Sequence, residues 1–304
     1  MSISLFAPVV PPHVFVLTET GATFASIARS VRPSVAAARR VGYGPMAGTS
    51  GLGSPVFSAE TLVPVLAESR RLLGRVNRAS VVFPDTWART MTLDFDALPP
   101  RPKDRAEMVA WKFKKLMPGR PEELDVVFSE IPKASEAGSR LLASAASRET
   151  LRSIERAFSA GGIRVGLLSP ATLVLFDGFD PLLSAAAGGD YLLLHRAGGT
   201  TSLLIAREGK PLFFRQKLAR EEESDDEQEI RLSLSYYSEN LGGGALKSMF
   251  FHDEDATGRP LWQPPGLDAR PLSSVLLHAD ESLDAQAANS PELWSALAAV
   301  SEAA

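Results

Sequence analysis

The sequence predicts an α/β protein built from two lobes, because strands and helices alternate along a chain long enough for two hydrophobic cores. It has 304 residues, of which 45% are hydrophobic and 22% charged, a balance typical of a soluble globular protein rather than a disordered one. The strand–helix–strand order over residues 140–168 further predicts parallel strands joined by a right-handed crossover.

The charge and cysteine content exclude several classes of protein. The net charge of −4 and the pI of 5.7 argue against a nucleic-acid binder, which usually carries a basic surface. The chain has no cysteine, which excludes a disulfide framework and a thiolate metal site. The apolar N-terminus lacks a basic segment and contains three prolines in residues 1–17, so no signal peptide is expected. No uncharged apolar run approaches the roughly 20 residues of a membrane-spanning helix.

The N-terminal part of the chain predicts two strands, a loop and a helix. HVFVL (13–17) and FASIARS (24–30) have the apolar character of strands on either side of a glycine turn. Residues 42–55 are rich in glycine and proline, which is typical of a surface loop. Residues 58–73 predict a helix whose regular part starts late, because an interior proline such as Pro64 loses a hydrogen bond and clashes with the preceding turn.

Residues 76–132 predict a compact inserted module with the order β, β, α, β. The segments ASVVF (79–83), TMTLDF (90–95) and LDVVFSEI (124–131) predict its strands, and the middle one alternates with a period of two. Between the second and third strands, residues 103–119 predict an amphipathic helix. Its apolar stripe consists of Ala106, Val109, Ala110, Phe113 and Leu116.

The ends of that helix also have sequence signals. Asp104 and Glu107 have the spacing of a capping box, with Asp in place of Ser or Thr. Pro118 is expected to stop the helix, since proline is poorly tolerated in a helix interior. We therefore expect the helix to begin close to Asp104 and to end before Pro118.

A second helix and its flanking strands follow the inserted module. RLLASAA (140–146) and IRVGLL (163–168) predict strands on either side of a helix capped by Ser147, and two glycines follow this helix in the left-handed turn that favours them. Its buried face is predicted to consist of Leu151, Ile154, Ala157 and Phe158.

The C-terminal third predicts four strands and two more helices. Residues 191–218 form three of the strands, with REGK (207–210) as a hairpin turn. The acidic segment 220–229 is interpreted as a solvated loop running into a helix, and LKSMFF (246–251) predicts a further strand. The first helix carries the apolar stripe Ile230, Leu234 and Tyr237; the second is capped by Ser290, with Leu293, Leu297 and Val300 on one side.

The order of these elements, and above all AGGTTSLLIAREGKPLFFRQKL (197–218), resembles the PilM family of type IV pilus assembly proteins, which are actin-like and related to the cell-division protein FtsA. The resemblance covers nearly the whole chain. Residues 76–131 are similar to the family's inserted subdomain, residues 141–171 to its returning strand and helix, and residues 290–300 to its closing helix.

The resemblance implies an actin-like (ribonuclease H-like) α/β fold with two lobes, an inserted βαβ-type subdomain and a mostly missing lid. It implies a first lobe of residues 1–75 and 133–187, an inserted subdomain of residues 76–132, and a reduced second lobe of residues 188–304. The lid ordinarily lies after the hairpin, where this chain has only the acidic stretch 219–229.

The first phosphate loop of the family ordinarily reads Asp-x-Gly-Ser-Ser-Ser, followed by a lysine. The corresponding stretch here is TETGATFA, in which Thr18 stands at the Asp position, Thr20 at the Gly position and Ala25 at the Lys position; Thr18 and Gly21 are the residues of this vestigial loop. The missing Asp is the residue that holds hydrated magnesium in the family. Glu19 is adjacent, but one step along a strand it is expected to face the opposite way.

The second phosphate loop ordinarily reads Asp-x-Gly-Gly-Gly-Thr and here reads HRAGGTT. His195 replaces the Asp, and we interpret it as a packed strand histidine rather than a metal ligand, because the nearby sequence offers no second ligand. Arg196 is expected to face away from its neighbour. The residues of the retained turn, in which glycine supplies backbone freedom, are Gly198, Gly199, Thr200 and Thr201.

The adenosine loop ordinarily follows a strand with two glycines, and Asp253 and Glu254 stand at those positions here. Their side chains are expected to fill the nucleotide space, and their carboxylates to repel phosphates. The acidic cluster lacks the spacing and glycine of an EF-hand loop, so we interpret it as a solvated turn. The sequence therefore predicts vestigial nucleotide loops, no catalytic residue, no bound metal, and no ATP or magnesium cofactor.

What the resemblance implies for function is a non-enzymatic cytoplasmic scaffold of the pilus inner-membrane platform. Such a protein binds the cytoplasmic N-terminal peptide of the membrane protein PilN between the first subdomain and the inserted module, as an extended peptide with apolar anchors. Trp87, Arg89 and Trp111 are the candidate groove residues, although a tryptophan at helical spacing is also typical of a core. We expect a location peripheral to the inner membrane through that partner, and no nucleic-acid partner; self-association is left open.

Three alternatives remain at this stage. One is a component of type II secretion like the cytoplasmic domain of GspL, which shares the architecture. Another is an active ATPase or sugar-kinase-like enzyme, which needs a carboxylate for magnesium and a positioned base; neither stands where it is expected. The last is a hydrolase of another class, but no G-x-S-x-G, H-E-x-x-H or G-x-x-x-x-G-K-[ST] motif is present.

Overall fold

Two five-stranded sheets, a helical layer between them and a smaller three-stranded sheet make up the molecule. This architecture comes from a computed structural model. It describes residues 11–28, 34–115, 117, 120–132, 138–218, 226–244, 246–255, 262–279 and 291–301.

The elements of these ranges are as follows. The strands are β1 (His13–Leu17), β2 (Gly21–Ala28), β3 (Ser34–Gly42), β4 (Gly48–Thr49), β5 (Pro55–Val56), β6 (Arg78–Phe83), β7 (Ala88–Phe95), β8 (Leu124–Ile131), β9 (Ser139–Ser147), β10 (Arg164–Pro170), β11 (Tyr191–Ala197), β12 (Thr200–Arg207), β13 (Lys210–Leu218), β14 (Ser248–Asp253) and β15 (Asp268–Pro271). The helices are α1 (Ala59–Leu73), α2 (Pro102–Lys114), α3 (Arg148–Ala160), α4 (Ala171–Ala187), α5 (Asp226–Asn240), α6 (Leu272–Ala279) and α7 (Glu292–Ser301).

The first sheet has the strand order β10–β6–β1–β2–β3. Strands β1, β2 and β3 form an antiparallel meander, whereas β6 pairs in parallel with β1 and β10 in parallel with β6. Helices α1 and α3 cover one face, where Phe15 and Phe158 meet edge to face with ring centroids 5.0 Å apart. The predicted strands of this lobe are confirmed, but β10 does not pair with β9, so the predicted parallel pairing of those two is wrong.

The second sheet has the order β13–β12–β11–β14–β15. Strands β11, β12 and β13 are antiparallel, and β14 adds in parallel to β11. The predicted hairpin turn is confirmed: Glu208 and Gly209 have φ angles of 50° and 73°, as a type I′ turn requires. Helix α5 covers the outer face through the predicted stripe, with Ile230 and Tyr237 buried.

Helices α4 and α7 form the layer between the two sheets, and their side chains share one core with both. Every residue from Glu292 to Val300 is buried, so burial extends beyond the predicted side of Leu293, Leu297 and Val300. A helix packed between two sheets must be buried all round. Gly178 of α4 lies directly against α7, where a Cβ atom would come within 2.3 Å of the Ala298 carbonyl oxygen.

The third sheet has the antiparallel order β7–β9–β8 and packs on α2 through Val109 and Phe113. The strands of this sheet differ from those predicted for the inserted module of residues 76–132. Strand β6, placed in the module by the sequence, pairs in the first sheet, and β9, placed in the first lobe, is the central strand of the third sheet. Apolar alternation identifies a strand but carries no information on its distant partner.

Two helix starts also differ from the prediction. Helix α1 begins at Ala59 and contains Pro64, because Ser58 and Thr61 form a capping box that fixes the first turn. Helix α2 begins at Pro102, and no side chain caps it, so the predicted capping box at Asp104 and Glu107 is wrong. Proline at the first helical position supplies the helical φ angle without needing a donor.

The other predicted ends are only partly described. Ser147 caps α3 as predicted, accepting from the Thr150 backbone N–H. Leu116, Pro118 and Ser290 lie outside the described side chains, as does the acidic segment 219–225. No helix in the described ranges is both long and apolar enough to cross a membrane.

The contact of Gly178 with α7 makes a prediction about stability. Gly178→Val places a branched side chain against the backbone of Ala298, and overpacking of this kind costs about 1–3 kcal/mol. We expect chemical denaturation to show that loss. Gly189→Val is the matched control, since a Cβ atom there meets nothing within 4 Å. Equal stability of the two variants would contradict the close packing of α4 on α7.

Candidate functional site: the interlobe cluster

The vestigial loops meet between the two lobes, at the ends of β11 and β14 and the beginning of α4. A short 3-10 turn, Asp85–Trp87, follows β6 and brings Asp85 to the same place. Polar side chains from both sheets and from α4 converge there. We name this set the interlobe cluster: Asp85, Thr172, His195, Ser202, His252 and Glu254.

The pairing of β11 with β14 decides which side chains enter the cluster. His195 is the register partner of His252, and Arg196 is the partner of Asp253. Neighbouring partners along paired strands face opposite sides of the sheet, so the two histidines point into the interlobe layer. Their rings stack with centroids 5.5 Å apart and planes 16° apart.

His195 lies between two carboxylates and is 1% exposed. Its Nδ1 is 2.7 Å from the Thr172 hydroxyl and 3.5 Å from Asp85 Oδ2, and its Nε2 is 3.3 Å from Glu254 Oε1. Burial alone lowers the pKa of a histidine, but the hydrogen bonds and charges of Asp85 and Glu254 outweigh it and raise the pKa of His195 to about 10. The cluster is therefore suited to holding positive charge at His195.

Asp85 is buried and accepts three hydrogen bonds from two elements, α4 and β12. The Thr172 backbone N–H donates to Oδ1 at 3.1 Å, and the Ser202 hydroxyl donates to Oδ2 at 2.7 Å; the Thr172 hydroxyl also donates to Oδ2. Burial raises the pKa of this carboxyl, but His195 and these hydroxyls reverse the effect, so it lies below its usual value. One carboxylate thus connects the first sheet, α4 and the second sheet.

Gln216 of β13 strengthens the same connection. Its Nε2 donates to the backbone carbonyls of Asp85 and Ala88, at 2.5 and 3.2 Å, while its Oε1 accepts from the Thr90 N–H at 3.1 Å. Strand β7 of the third sheet is thereby fixed to the edge of the second sheet. The three sheets are joined by buried polar contacts as well as by apolar packing.

Arg196 faces the other side of the sheet, as the sequence predicts. Its guanidinium pairs with Asp253 and with Asp226 of α5, and Asp226 also accepts from the Thr201 hydroxyl at 2.7 Å. Glu229 is buried and pairs with Arg215 and Lys217. The interpretation of the acidic stretch as solvated is therefore wrong for Asp226 and Glu229, which neutralise basic side chains of the sheet.

The retained glycine turn already has an anion bound to it. Gly198 and Gly199 have φ angles of 58° and 69°, and their N–H groups donate to the two carboxylate oxygens of Asp255 at 2.6 and 3.1 Å. Backbone N–H groups in such a turn are the usual ligands of a phosphate. Here the chain's own carboxylate occupies the position that a phosphate would take.

The first loop is closed by its own contacts. The Thr18 hydroxyl donates to the Gly21 carbonyl at 2.9 Å and accepts from the Gly21 N–H at 3.2 Å. Glu19 accepts from the Thr86 hydroxyl and from the Trp87 indole N–H, at 2.8 and 3.0 Å. Thr18, Glu19 and the N–H groups of Gly198 and Gly199 are thus engaged within the chain.

These contacts do not fit a bound magnesium nucleotide. The position of the magnesium-holding carboxylate is taken by His195, the phosphate turn is held by Asp255, and Glu254 projects into the same region. Only residues 219–225 connect the end of β13 with the beginning of α5, which is too short for a lid subdomain. The three candidate vestigial loops lie close together, but their polar side chains and N–H groups form contacts within the chain.

The three candidate groove residues differ in exposure. Trp87 is 3% exposed, stacks on Phe83 and is bonded to Glu19, so its proposed place in a peptide groove is wrong: it belongs to the core beneath α1 and α3. Arg89 is half-buried, and burial lowers its pKa without a described carboxylate to offset it. Trp111 is 51% exposed on α2, with the Lys115 ammonium 4.3 Å from its ring centroid.

Sequence reasoning missed several members of the site. The nearby sequence offers no second ligand for His195, but the pairing of β11 with β14 places His252 and Glu254 beside it. Asp85, Gln216 and Asp255 were not singled out, and each acts on groups distant in sequence. A polar residue just after a buried strand, as Asp85 is, was the available signal.

The burial of Asp85 leads to a prediction about stability. Asp85→Ala leaves Thr172, Ser202 and His195 without their shared acceptor, and breaking a buried charged pair costs about 3–5 kcal/mol. Glu227→Ala is the control, because its pair with Arg231 is exposed and is worth about 0.3–0.5 kcal/mol. Urea denaturation of both variants tests this; similar losses would contradict the role assigned to Asp85.

Comparisons with known proteins show which solved structures this chain resembles. No protein-family model and no curated protein matches the chain. Among solved structures, it is similar to a PilM–PilN type IV pilus biogenesis complex, with 17% identity, 98% of this chain and 100% of that chain covered, and a TM-score of 0.70.

Two further structures show the same architecture. The cytoplasmic domain of EpsL, an inner-membrane component of the type II secretion system of Vibrio cholerae, is 13% identical over 88% of this chain and 93% of its own, with a TM-score of 0.51. A Bacteroides thetaiotaomicron protein with an actin-like ATPase fold and unknown function is 10% identical over 90% and 95%, with a TM-score of 0.50. The chain therefore has the actin-like fold, and its predicted resemblance to PilM is confirmed at the level of that fold.

Proposed function

We propose that this protein is a non-enzymatic, actin-like adaptor of an inner-membrane assembly platform, which docks on the cytoplasmic N-terminal peptide of a PilN-like membrane protein. The observation that carries the proposal is the carboxylate of Asp255 on the N–H groups of Gly198 and Gly199. An actin-like protein whose own carboxylate fills the phosphate turn retains the two lobes. It lacks the bound nucleotide that ordinarily moves them.

The absence of enzymatic activity is supported by the chemistry of the interlobe cluster. Phosphoryl transfer depends on a metal-bound triphosphate and on a group that positions the nucleophile. His195 is held between Asp85 and Glu254, and each of these carboxylates is engaged in buried hydrogen bonds. A nucleotide would have to displace Asp255 and expose these carboxylates to its own negative charge.

The choice of a pilus-type platform rests on the comparisons. The higher TM-score belongs to the complex of PilM with PilN, and the lower one to the EpsL cytoplasmic domain. A component of a type II secretion platform is therefore the second candidate. In both readings the protein acts on the cytoplasmic side of the inner membrane through a membrane partner.

The docking surface is proposed at the third sheet, where it meets the first lobe. Leu52 of the loop after β4 packs with the core of the third sheet, so the two parts are in contact there. Arg89 lies on β7, half-buried and without a described acidic partner, which suits it to an acidic group of a peptide. Trp111 on α2 supplies an exposed aromatic surface for an apolar anchor.

We expect the full chain to show no saturable binding of magnesium ATP by isothermal calorimetry, because the phosphate turn is occupied by Asp255 and His195 stands at the position of the magnesium-holding carboxylate. A thermal-shift titration provides an independent readout. Specific binding in the micromolar range, by either method, would contradict the proposal that the site is vestigial.

We also expect the full chain to bind the N-terminal peptide of the PilN-like protein encoded beside it. Arg89→Ala and Trp111→Ala should each weaken that binding by about 2 kcal/mol, or about 30-fold, as for aromatic and arginine hot spots. Fluorescence anisotropy with a labelled peptide measures the change.

Leu232→Ala is the matched control, since Leu232 is an exposed apolar residue on α5 in the second lobe. It should leave the affinity unchanged. Peptide binding that is lost equally in all three variants, or retained in all three, would place the docking surface elsewhere. No binding of any neighbouring PilN-like peptide would count against the adaptor itself.

A further inference from the structure

Three side chains of the interlobe cluster offer ligand atoms to one point. Nε2 of His195, Nε2 of His252 and a carboxylate oxygen of Glu254 all lie within 4.8 Å of one another. Two imidazoles and a carboxylate are a ligand set of transition-metal sites, and of zinc sites in particular. All three residues are buried or nearly so.

The distances from the Glu254 carboxylate to the two histidines match those between neighbouring ligands of a tetrahedral ion, and the imidazole nitrogens lie within 4.8 Å of each other. Glu254 Oε1 lies 3.3 Å from each histidine Nε2. With zinc–nitrogen bonds of about 2.0–2.1 Å and similar zinc–oxygen bonds, neighbouring ligands of a tetrahedron are about 3.3 Å apart. A small movement of the side chains is therefore enough to receive the ion.

The backbone explains why the three ligands converge. His195 and His252 are register partners on parallel strands, and their stacked rings direct both Nε2 atoms to the same carboxylate. Glu254 is two residues beyond His252 and faces the same side, since its N–H continues the ladder to the Arg196 carbonyl at 2.8 Å. A rigid sheet, rather than a loop, positions the set.

The second nitrogen of His195 is already held as in a metal site. Its Nδ1 faces the Thr172 hydroxyl at 2.7 Å, and that hydroxyl donates to Asp85. Metal-bound histidines usually donate their other N–H to a carboxylate or its relay, which fixes the tautomer. Nε2 of His195 then faces Glu254 at 3.3 Å, and a cation on that side would replace the hydrogen bond between them.

The charge of the cluster also calls for a cation. Asp85 and Glu254 are two carboxylates removed from water around the two imidazoles, and uncompensated buried charge is costly. A proton on His195 meets that need in part, and a divalent ion meets it more fully. Binding would exchange two hydrogen bonds for metal bonds, the one between His252 Nε2 and the Pro291 carbonyl at 3.1 Å and the one between His195 Nε2 and Glu254 Oε1 at 3.3 Å.

We propose that His195, His252 and Glu254 bind a zinc-class divalent cation, which ties β11 and β14 together beside α7. The ion is distinct from nucleotide-bound magnesium, because nitrogen ligands favour zinc and its neighbours whereas magnesium takes oxygen ligands. Water completes its coordination at the fourth position. The site goes beyond the proposed adaptor function and does not depend on it.

The test is zinc binding by the full chain after dialysis against a chelator. We expect one zinc ion per chain in equilibrium dialysis and a melting temperature that rises with zinc concentration. Cobalt at the same site should give the visible absorption of a tetrahedral ion, while magnesium at equal concentration should give no thermal shift. Absence of stoichiometric zinc binding overturns the proposal.

Variants locate the ion. Glu254→Gln and His252→Asn, which keep hydrogen-bonding side chains of comparable size, should each weaken zinc binding by about 100-fold or more. His13→Asn is the control, because His13 lies on β1 outside the cluster. Circular dichroism establishes that each variant is folded. Unchanged zinc affinity in both folded ligand variants, or equal loss in the control, assigns the metal elsewhere and overturns the site.

Discussion

The buried carboxylate of Asp85 is the contact on which the relation of the two lobes depends. It follows a strand of the first sheet, accepts from the Thr172 backbone N–H in the first turn of α4, and accepts from Ser202 of the second sheet. Desolvating a carboxylate is expensive unless its lone pairs are satisfied, so this contact is stable only when all its partners are in place. Gln216 adds hydrogen bonds to the backbone around Asp85 and to β7. The result is a polar connection with a single well-defined geometry.

The same contacts are the basis of the proposal that this actin-like framework works without nucleotide chemistry. In a nucleotide-binding protein the negative charge of a triphosphate and the positive charge of its metal occupy the space between lobes. Here Asp255 supplies the anion for the glycine turn and His195 supplies a positive group between Asp85 and Glu254. Internal charges thereby keep the turn and the interlobe layer ordered. Such a molecule is suited to presenting a fixed surface rather than to cycling between open and closed forms.

Fixing the lobes also fixes the surface proposed for docking. The third sheet is bound to the second through β7 and β13, and it touches the first lobe through Leu52. Arg89 and Trp111 are therefore held on a scaffold whose position is set by the interlobe cluster. A peptide that meets a preformed surface loses less free energy to ordering of the protein. A proton and a zinc ion in the interlobe cluster have the same structural effect, because either one holds the ends of β11 and β14 together.

The sequence by itself determined the local elements: the hairpin at Glu208 and Gly209, the Ser147 cap, and the alternation of Arg196 away from His195. These follow from periodicity, turn chemistry and resemblance, which act between near neighbours. Only the tertiary structure decided that β6 belongs to the first sheet and β9 to the third. It also decided that Trp87 lies in the core, and that His252 and Glu254 stand beside His195. Those facts depend on strand register between segments far apart in the chain, and no local pattern specifies the partner.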